Sequence, residues 1–134
     1  MSVAGKLLVV DDNELVLERL KSRLQRESYE VATTSQPVGA VRHLLLCDLV
    51  ILDFHMPGMN GSEVLRSLKM LAARSGANPL YFLYTSDKEF SHRYRELGFD
   101  GSLVSKGDDE ALVAQVAVAL RLAKLRRRAS FAKK

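Results

Sequence analysis

Five side chains able to handle a metal ion or a phosphoryl group stand directly after short apolar runs. Asp11 and Asp12 follow LLVV, Asp53 follows LVIL, Thr85 follows YFLY and Lys106 follows SLVS. Three carboxylates brought together repel one another unless a cation or shared protons relieve them, and oxygen-only ligands favour a hard ion such as Mg²⁺. A hydroxyl and an ammonium opposite them could hold phosphoryl oxygens. Taken singly, an aspartate after a strand is more often a turn residue or a helix cap. Four sets at the ends of four runs point to one site instead. Neither G-x-x-x-x-G-K-[ST] nor G-x-G-x-x-G occurs in the sequence, which argues against a nucleotide-binding domain. His43, His55 and His92 lie far apart and read as surface residues before metal ligands.

The apolar runs cover residues 7–10, 31–34, 49–52, 80–84 and, more weakly, 103–105. Each is too short for a buried helix, and each is apolar on consecutive rather than alternate residues, as in strands covered on both faces of a parallel sheet. Apolar residues at helical spacing fill the gaps: Leu17, Leu20 and Leu24, then Val38, Val41 and Leu45, then Val64, Leu65, Leu68 and Leu71. Ser35 with Pro37, and Asn60 with Glu63, read as helix starts. Residues 87–97 are mostly polar, with Phe90, Tyr94 and Leu97 as apolar positions, and predict a mobile or partner-facing helix. Asp108, Asp109 and Glu110 suit a helix N-terminus, and Leu112, Val113, Val116, Ala117 and Leu120 give a last buried stripe. The rhythm predicts an α/β fold, (βα)₅, with a doubly wound five-stranded parallel sheet. Such sheets bind ligands outside the carboxyl ends of their strands, where all four reactive sets would meet.

A chain of 134 residues suits one domain with a single sizeable core. Its lone cysteine, Cys47, supports neither an internal disulfide nor a cysteine zinc cluster. With no secretory leader pattern and no run of eighteen apolar residues, the expectation is a cytoplasmic protein. The net charge of +4 averages two unlike regions. Residues 1–120 hold 13 Lys/Arg against 16 Asp/Glu, a net −3, whereas residues 121–134 hold seven cations and no acid. We therefore divide the chain into a domain over residues 1–122 and a basic tail or linker over residues 123–134.

The segments LLVVDDN at 7–13, DLVILDFHMPGMNG at 48–61, YTS at 84–86 and the Lys106 strand end resemble response-regulator receiver domains of two-component signalling. The resemblance covers about residues 5 to 122, and DLVILD followed by MPGMNG is its most specific part. It implies a flavodoxin-like receiver fold and a phosphoacceptor that catalyses only its own phosphorylation and dephosphorylation. Asp53 would accept the phosphoryl group. Asp12, Asp53 and the backbone carbonyl of His55 would hold Mg²⁺, with Asp11 acting through water, and Thr85 and Lys106 would bind the phosphoryl oxygens. The implied partners are a histidine kinase or histidine phosphotransfer protein and a downstream protein bound through the helix 4/strand 5/helix 5 face, with room for a homodimer.

Two positions depart from the family pattern. Leu103 stands where receivers usually carry a switch aromatic, and Gly107 follows the lysine where they usually carry proline. Both features suit the alternative of a pseudo-receiver, an interaction module that signals constitutively. A metal-dependent phosphatase with an aspartyl nucleophile fits less well, because His55 replaces its usual second acid. The basic tail invites nucleic acid or an anionic membrane, but a solvated helix end or linker is the favoured account of it. No DNA-reading module fits in the remaining residues.

Overall fold

A computed structural model describes residues 5–53, 61–85, 87–103 and 109–132, with the side chains of 37, 38, 41 and 127–132 left aside. Five strands, β1 (Gly5–Val10), β2 (Tyr29–Thr34), β3 (Leu49–Asp53), β4 (Leu80–Tyr84) and β5 (Gly101–Leu103), form one sheet in the order β2-β1-β3-β4-β5. Every pairing is parallel. The helices between them are α1 (Glu14–Gln25), a 3-10 turn (Pro37–Ala40) running into α2 (Val41–Leu44), α3 (Gly61–Ser75), α4 (Lys88–His92) and α5 (Asp109–Ala132).

Alternate residues of each strand enter different cores, which explains why the strands are apolar throughout. Leu7, Val9, Leu49 and Ile51 pack with Leu17, Leu20 and Leu24 of α1 and with Leu112, Val116 and Leu120 of α5. On the other face, Leu8, Val10, Val50 and Leu52 pack with Leu44 and with Val64, Leu65, Leu68 and Ala72 of α3. The α1 stripe is buried as expected. In α5, Leu112, Val116 and Leu120 are buried as expected and Val113 packs against the core, whereas Ala117 is exposed and Ala119 and Ala123 complete the buried face.

The second helical segment differs more. A 3-10 turn followed by one α turn buries Ala40 and Leu44, while Leu45 is 53% exposed. The tighter wind of the 3-10 turn shifts the inward face back by one residue. Between β4 and β5, the regular helix is also shorter than residues 87–97. It ends at His92, and the following turns close in a Schellman arrangement: the Phe99 amide donates to the Tyr94 carbonyl and the Gly98 amide to the Arg95 carbonyl. Gly98 adopts φ 96°, which needs no Cβ. Tyr94, Leu97 and Phe99 still pack on the α3-side core. Helix α5 is continuous across residues 122 and 123, and no helix among the described residues is long and apolar enough to cross a membrane.

Candidate metal and phosphoryl site

The chain passes from β1 to the edge strand β2 and then returns to β3 on the other side of β1. The sheet order therefore reverses between β1 and β3, and a crevice opens at their carboxyl ends. Register brings the aspartates there to one level. Val10 lies opposite Leu52, so Asp11 and Asp53 come next on adjacent strands, and Asp53 lies opposite Tyr84, one residue before Thr85.

One carboxylate oxygen from each of Asp11, Asp12 and Asp53 lies within 4.8 Å of the other two. An octahedral Mg²⁺ shell with ligands at about 2.1 Å separates its oxygens by about 3 to 4.2 Å, so three converging carboxylates of this kind fit a hard cation. Their surroundings differ. Asp11 is buried, Asp53 is half-buried and Asp12 is exposed. Burial is the main cause that pushes the Asp11 carboxyl up from 3.8 to about 7. The charge of Asp53 and hydrogen bonding with Asp12 and Asp53 push it the same way, against the Asn13 amide that donates to Asp11 Oδ1 at 3.0 Å. A bound cation would favour the ionised form that burial and crowding oppose.

The first turn of α1 forms the other wall of an open cleft of about 640 Å³ in front of the aspartates. Asn13, to which sequence reasoning gave no part in the site, builds this wall: its side chain accepts from the Leu15 and Val16 amides and caps the helix. The available signal was an asparagine just before the apolar spacing of α1. A second hollow of about 480 Å³ lies by β2, between Lys6, Lys21, Glu30, Arg42 and Leu45, and gathers no acidic cluster.

Thr85 is buried at the end of β4, and its Oγ1 accepts from the Asp87 amide at 3.1 Å. That bond commits an oxygen lone pair and leaves the O–H proton for an acceptor. Asp87 in turn caps α4, accepting from the Glu89 and Phe90 amides. Leu103, fully buried, lies in the α1/α5-side core opposite Tyr84. His55, Lys106 and Gly107 lie outside the described residues.

The response regulator receiver domain model matches residues 7–117, and the chain belongs to that family. It is 31% identical to the Bacillus subtilis alkaline phosphatase synthesis transcriptional regulatory protein PhoP over 119 residues, covering 87% of this chain and 48% of PhoP. The DNA-binding response regulator MtrA of Mycolicibacterium smegmatis is 35% identical over 119 residues, covering 87% of this chain and 50% of its own. The chain thus spans about half the length of the curated relatives it matches. Among solved structures, the Thermotoga maritima response regulator TrrA in complex with Mg²⁺-BeF has a TM-score of 0.68 at 28% identity, covering 86% of this chain and 98% of TrrA. The Vibrio cholerae chemotaxis response regulator CheY4 has a TM-score of 0.70 at 22% identity, covering 88% and 99%, and shares the five-stranded parallel flavodoxin-like fold.

Proposed function

We propose that the chain is a Mg²⁺-dependent phosphoryl acceptor that takes the phosphoryl group on Asp53. The observation that carries this reading is the cluster of Asp11, Asp12 and Asp53 at the β1/β3 switch point. A carboxylate oxygen of Asp53 attacks phosphorus in line, the new O–P bond forms, and the bond to the departing imidazole of a phosphohistidine, or to acetate from acetyl phosphate, breaks. Asp12, Asp53 and the backbone carbonyl of His55 would hold the ion, with Asp11 behind them through water. The bound Mg²⁺ would neutralise charge that develops on the phosphoryl oxygens. Lys106 and the Thr85 hydroxyl complete the set of donors to those oxygens. Water attacking phosphorus then breaks the acyl phosphate and restores Asp53, with His55 and Asp87 flanking its path.

In this reading Thr85 conveys the change. Its Oγ1 receives the amide of Asp87, and Asp87 caps α4. Ser91 of α4 donates to Ser102 of β5 at 3.0 Å. Drawing the hydroxyl toward a phosphoryl group thus shifts the start of a short helix held on β5, and the α4/β5/α5 face changes its affinity for a downstream protein. Leu103 has neither a ring nor a hydroxyl to take part. The donor is a histidine kinase or phosphotransfer protein, and a cytoplasmic setting goes with it.

The test is intact-mass analysis after incubation with Mg²⁺ and acetyl phosphate. Wild type should gain one phosphoryl group and Asp53→Asn none. Equal labelling of both would remove Asp53 as acceptor; labelling of neither would favour a constitutive interaction module.

A further inference from the structure

The two edges of the sheet are protected unequally. Strand β5 ends the sheet with three residues, whereas β2 ends it with six, and its pairing with β1 runs unbroken from Gly5 opposite Tyr29 to Val10 opposite Thr34. A long edge is usually blunted by proline, by a bulge or by free charge. Residues 29–34 contain neither proline nor glycine, the continuous register leaves no bulge, and the one charged side chain, Glu30, is already held by Lys6 at 2.9 Å.

The direction of the backbone groups follows from one bond. The Asp11 amide donates to the Thr34 carbonyl at 3.2 Å, so Thr34 turns its peptide groups toward β1. Successive residues of a strand point these groups to opposite sides. Glu30 and Ala32 therefore face β1 as well, and Tyr29, Val31 and Thr33 each aim an N–H and a C=O away from the sheet. No hydrogen bond among the described residues uses this outward row. Donors and acceptors at that spacing are what an added strand pairs with.

The fold also leaves room beside the row. Helix α2 is a single turn after the 3-10 segment and leaves the amino half of β2 uncovered on its face of the sheet. A hollow of about 480 Å³ results, lined by Val31 and Ala32, with Leu45, 53% exposed, as an apolar lip. Lys21 of α1 and Arg42 of α2 line it too. Their neighbours Leu20 and Leu44 lie in opposite cores, so the two cations flank the edge from opposite faces. Glu30 neutralises Lys6, whereas neither Lys21 nor Arg42 has a carboxylate in reach among the described residues.

Charge decides the occupant. Two copies joined edge to edge through β2 would run antiparallel about a two-fold axis normal to the sheet, which sets Lys21 against Lys21 and Arg42 against Arg42. An extended segment with acids at its ends meets a cation on either face instead, because successive side chains of a strand point to opposite faces.

We infer that the outer edge of β2 is a docking site for an extended acidic segment of a partner protein, which adds a strand to the five-stranded sheet. Pairing with Tyr29, Val31 and Thr33 supplies affinity, and Lys21 and Arg42 select the acids that flank it. The hollow takes in Lys6 and Leu7 at the start of β1 and Cys47 just before β3, so it opens at the amino half of the sheet, away from the aspartate cluster and on the edge opposite β5.

The test uses the full chain and a fluorescein-labelled peptide of two Glu, alternating Val and Thr over four residues, and two Glu, followed by anisotropy and amide hydrogen exchange. Binding is expected, with exchange slowed at the Val31 and Thr33 amides and little changed at Ala32 between them, which already faces β1. Methylating the peptide's central amide nitrogens should abolish binding, since it removes the donors. Thr33→Pro deletes an outward N–H at an edge position that accepts proline, and should weaken binding by about tenfold. Lys21→Glu/Arg42→Glu should weaken it by about tenfold as well and transfer preference to the same peptide with Lys in place of Glu. Wild-type melting temperatures in the variants exclude loss of the fold as the cause. Absence of binding, indifference to amide methylation, unchanged preference after charge reversal, or exchange slowed at Ala32 as much as at its neighbours would overturn the proposal. So would concentration-dependent dimerisation that Thr33→Pro removes, which selects a second copy.

Discussion

Aspartates at the two ends of the same sheet do opposite work. At the amino end, Asp48 is buried and its Oδ2 accepts from the Lys6 amide at 2.9 Å, bridging β3 to β1. Asp100 accepts from the Tyr81 amide at 2.8 Å, with Arg126 at 3.8 Å. At the carboxyl end, Asp11, Asp12 and Asp53 crowd one another, and Asp11 is pushed up to about 7 by burial and by its acidic neighbours. Where a carboxylate is matched to a backbone donor, it stabilises the fold. Where carboxylates are matched mainly to each other, the fold holds them against repulsion, which the proposed cation would relieve.

The largest expected effect follows from removing one ligand at the crowded end. Asp12→Ala should abolish Mg²⁺ binding in a calorimetric titration, since in the proposed site Asp12 supplies a direct oxygen ligand; Asp48→Ala should leave the titration unchanged. Equal loss in both variants would mean that the metal senses the general fold and not this cluster.

The next effect concerns pH without metal. The Asp11 carboxyl ionises near 3.8 in the unfolded chain and about 7 in the folded one, so between those values the folded state binds more protons. Its favourable contribution is fully present below the lower value and is lost as pH rises through the higher one. In chelator, urea unfolding of wild type should therefore show stability falling across that window, and Asp11→Asn should flatten the fall. A third variant reverses the sign. Asp48→Ala should destabilise by about 1 to 3 kcal/mol, because it leaves the Lys6 amide without its acceptor; a neutral result would remove Asp48 from the class of matched acids.

The sheet and its reactive edge were legible because both rest on simple periodicity. Consecutive apolar residues in LLVV and LVIL can be buried only between two layers, and a polar residue at the end of each run then falls at the sheet edge. Crowding at Asp11, Asp12 and Asp53 follows from that register alone. Less visible were features set by exchange between near-equal local options. A 3-10 turn at Pro37–Ala40 moved burial from Leu45 to Leu44, and the Gly98 turn ended the regular part of the helix after β4 early. The roles of Asp48 and Asp100 were hidden because a carboxylate bound to a distant strand's amide has no local sequence pattern. In α5, Val118, Leu122 and Leu125 form a second, exposed stripe, and periodicity cannot say which of two apolar faces meets the sheet until the packing is known.

Asp87 supplies the smallest and most discriminating test, because it stands at the crowded end yet does the work of the matched acids. Its Oδ1 accepts from the amides of Glu89 and Phe90 at 2.9 and 3.4 Å, and its own amide donates to Thr85. An N-cap needs an oxygen and not a charge, and asparagine caps as well as aspartate. Asp87→Asn should thus leave stability nearly unchanged, whereas Asp87→Ala should cost about 1 kcal/mol and speed hydrogen exchange at the Glu89 and Phe90 amides. If Asp87→Asn destabilised as much as Asp87→Ala, the charge itself would be stabilising at the carboxyl end. Position along the sheet would then fail to separate the two kinds of aspartate, and only the number of carboxylates sharing a space would.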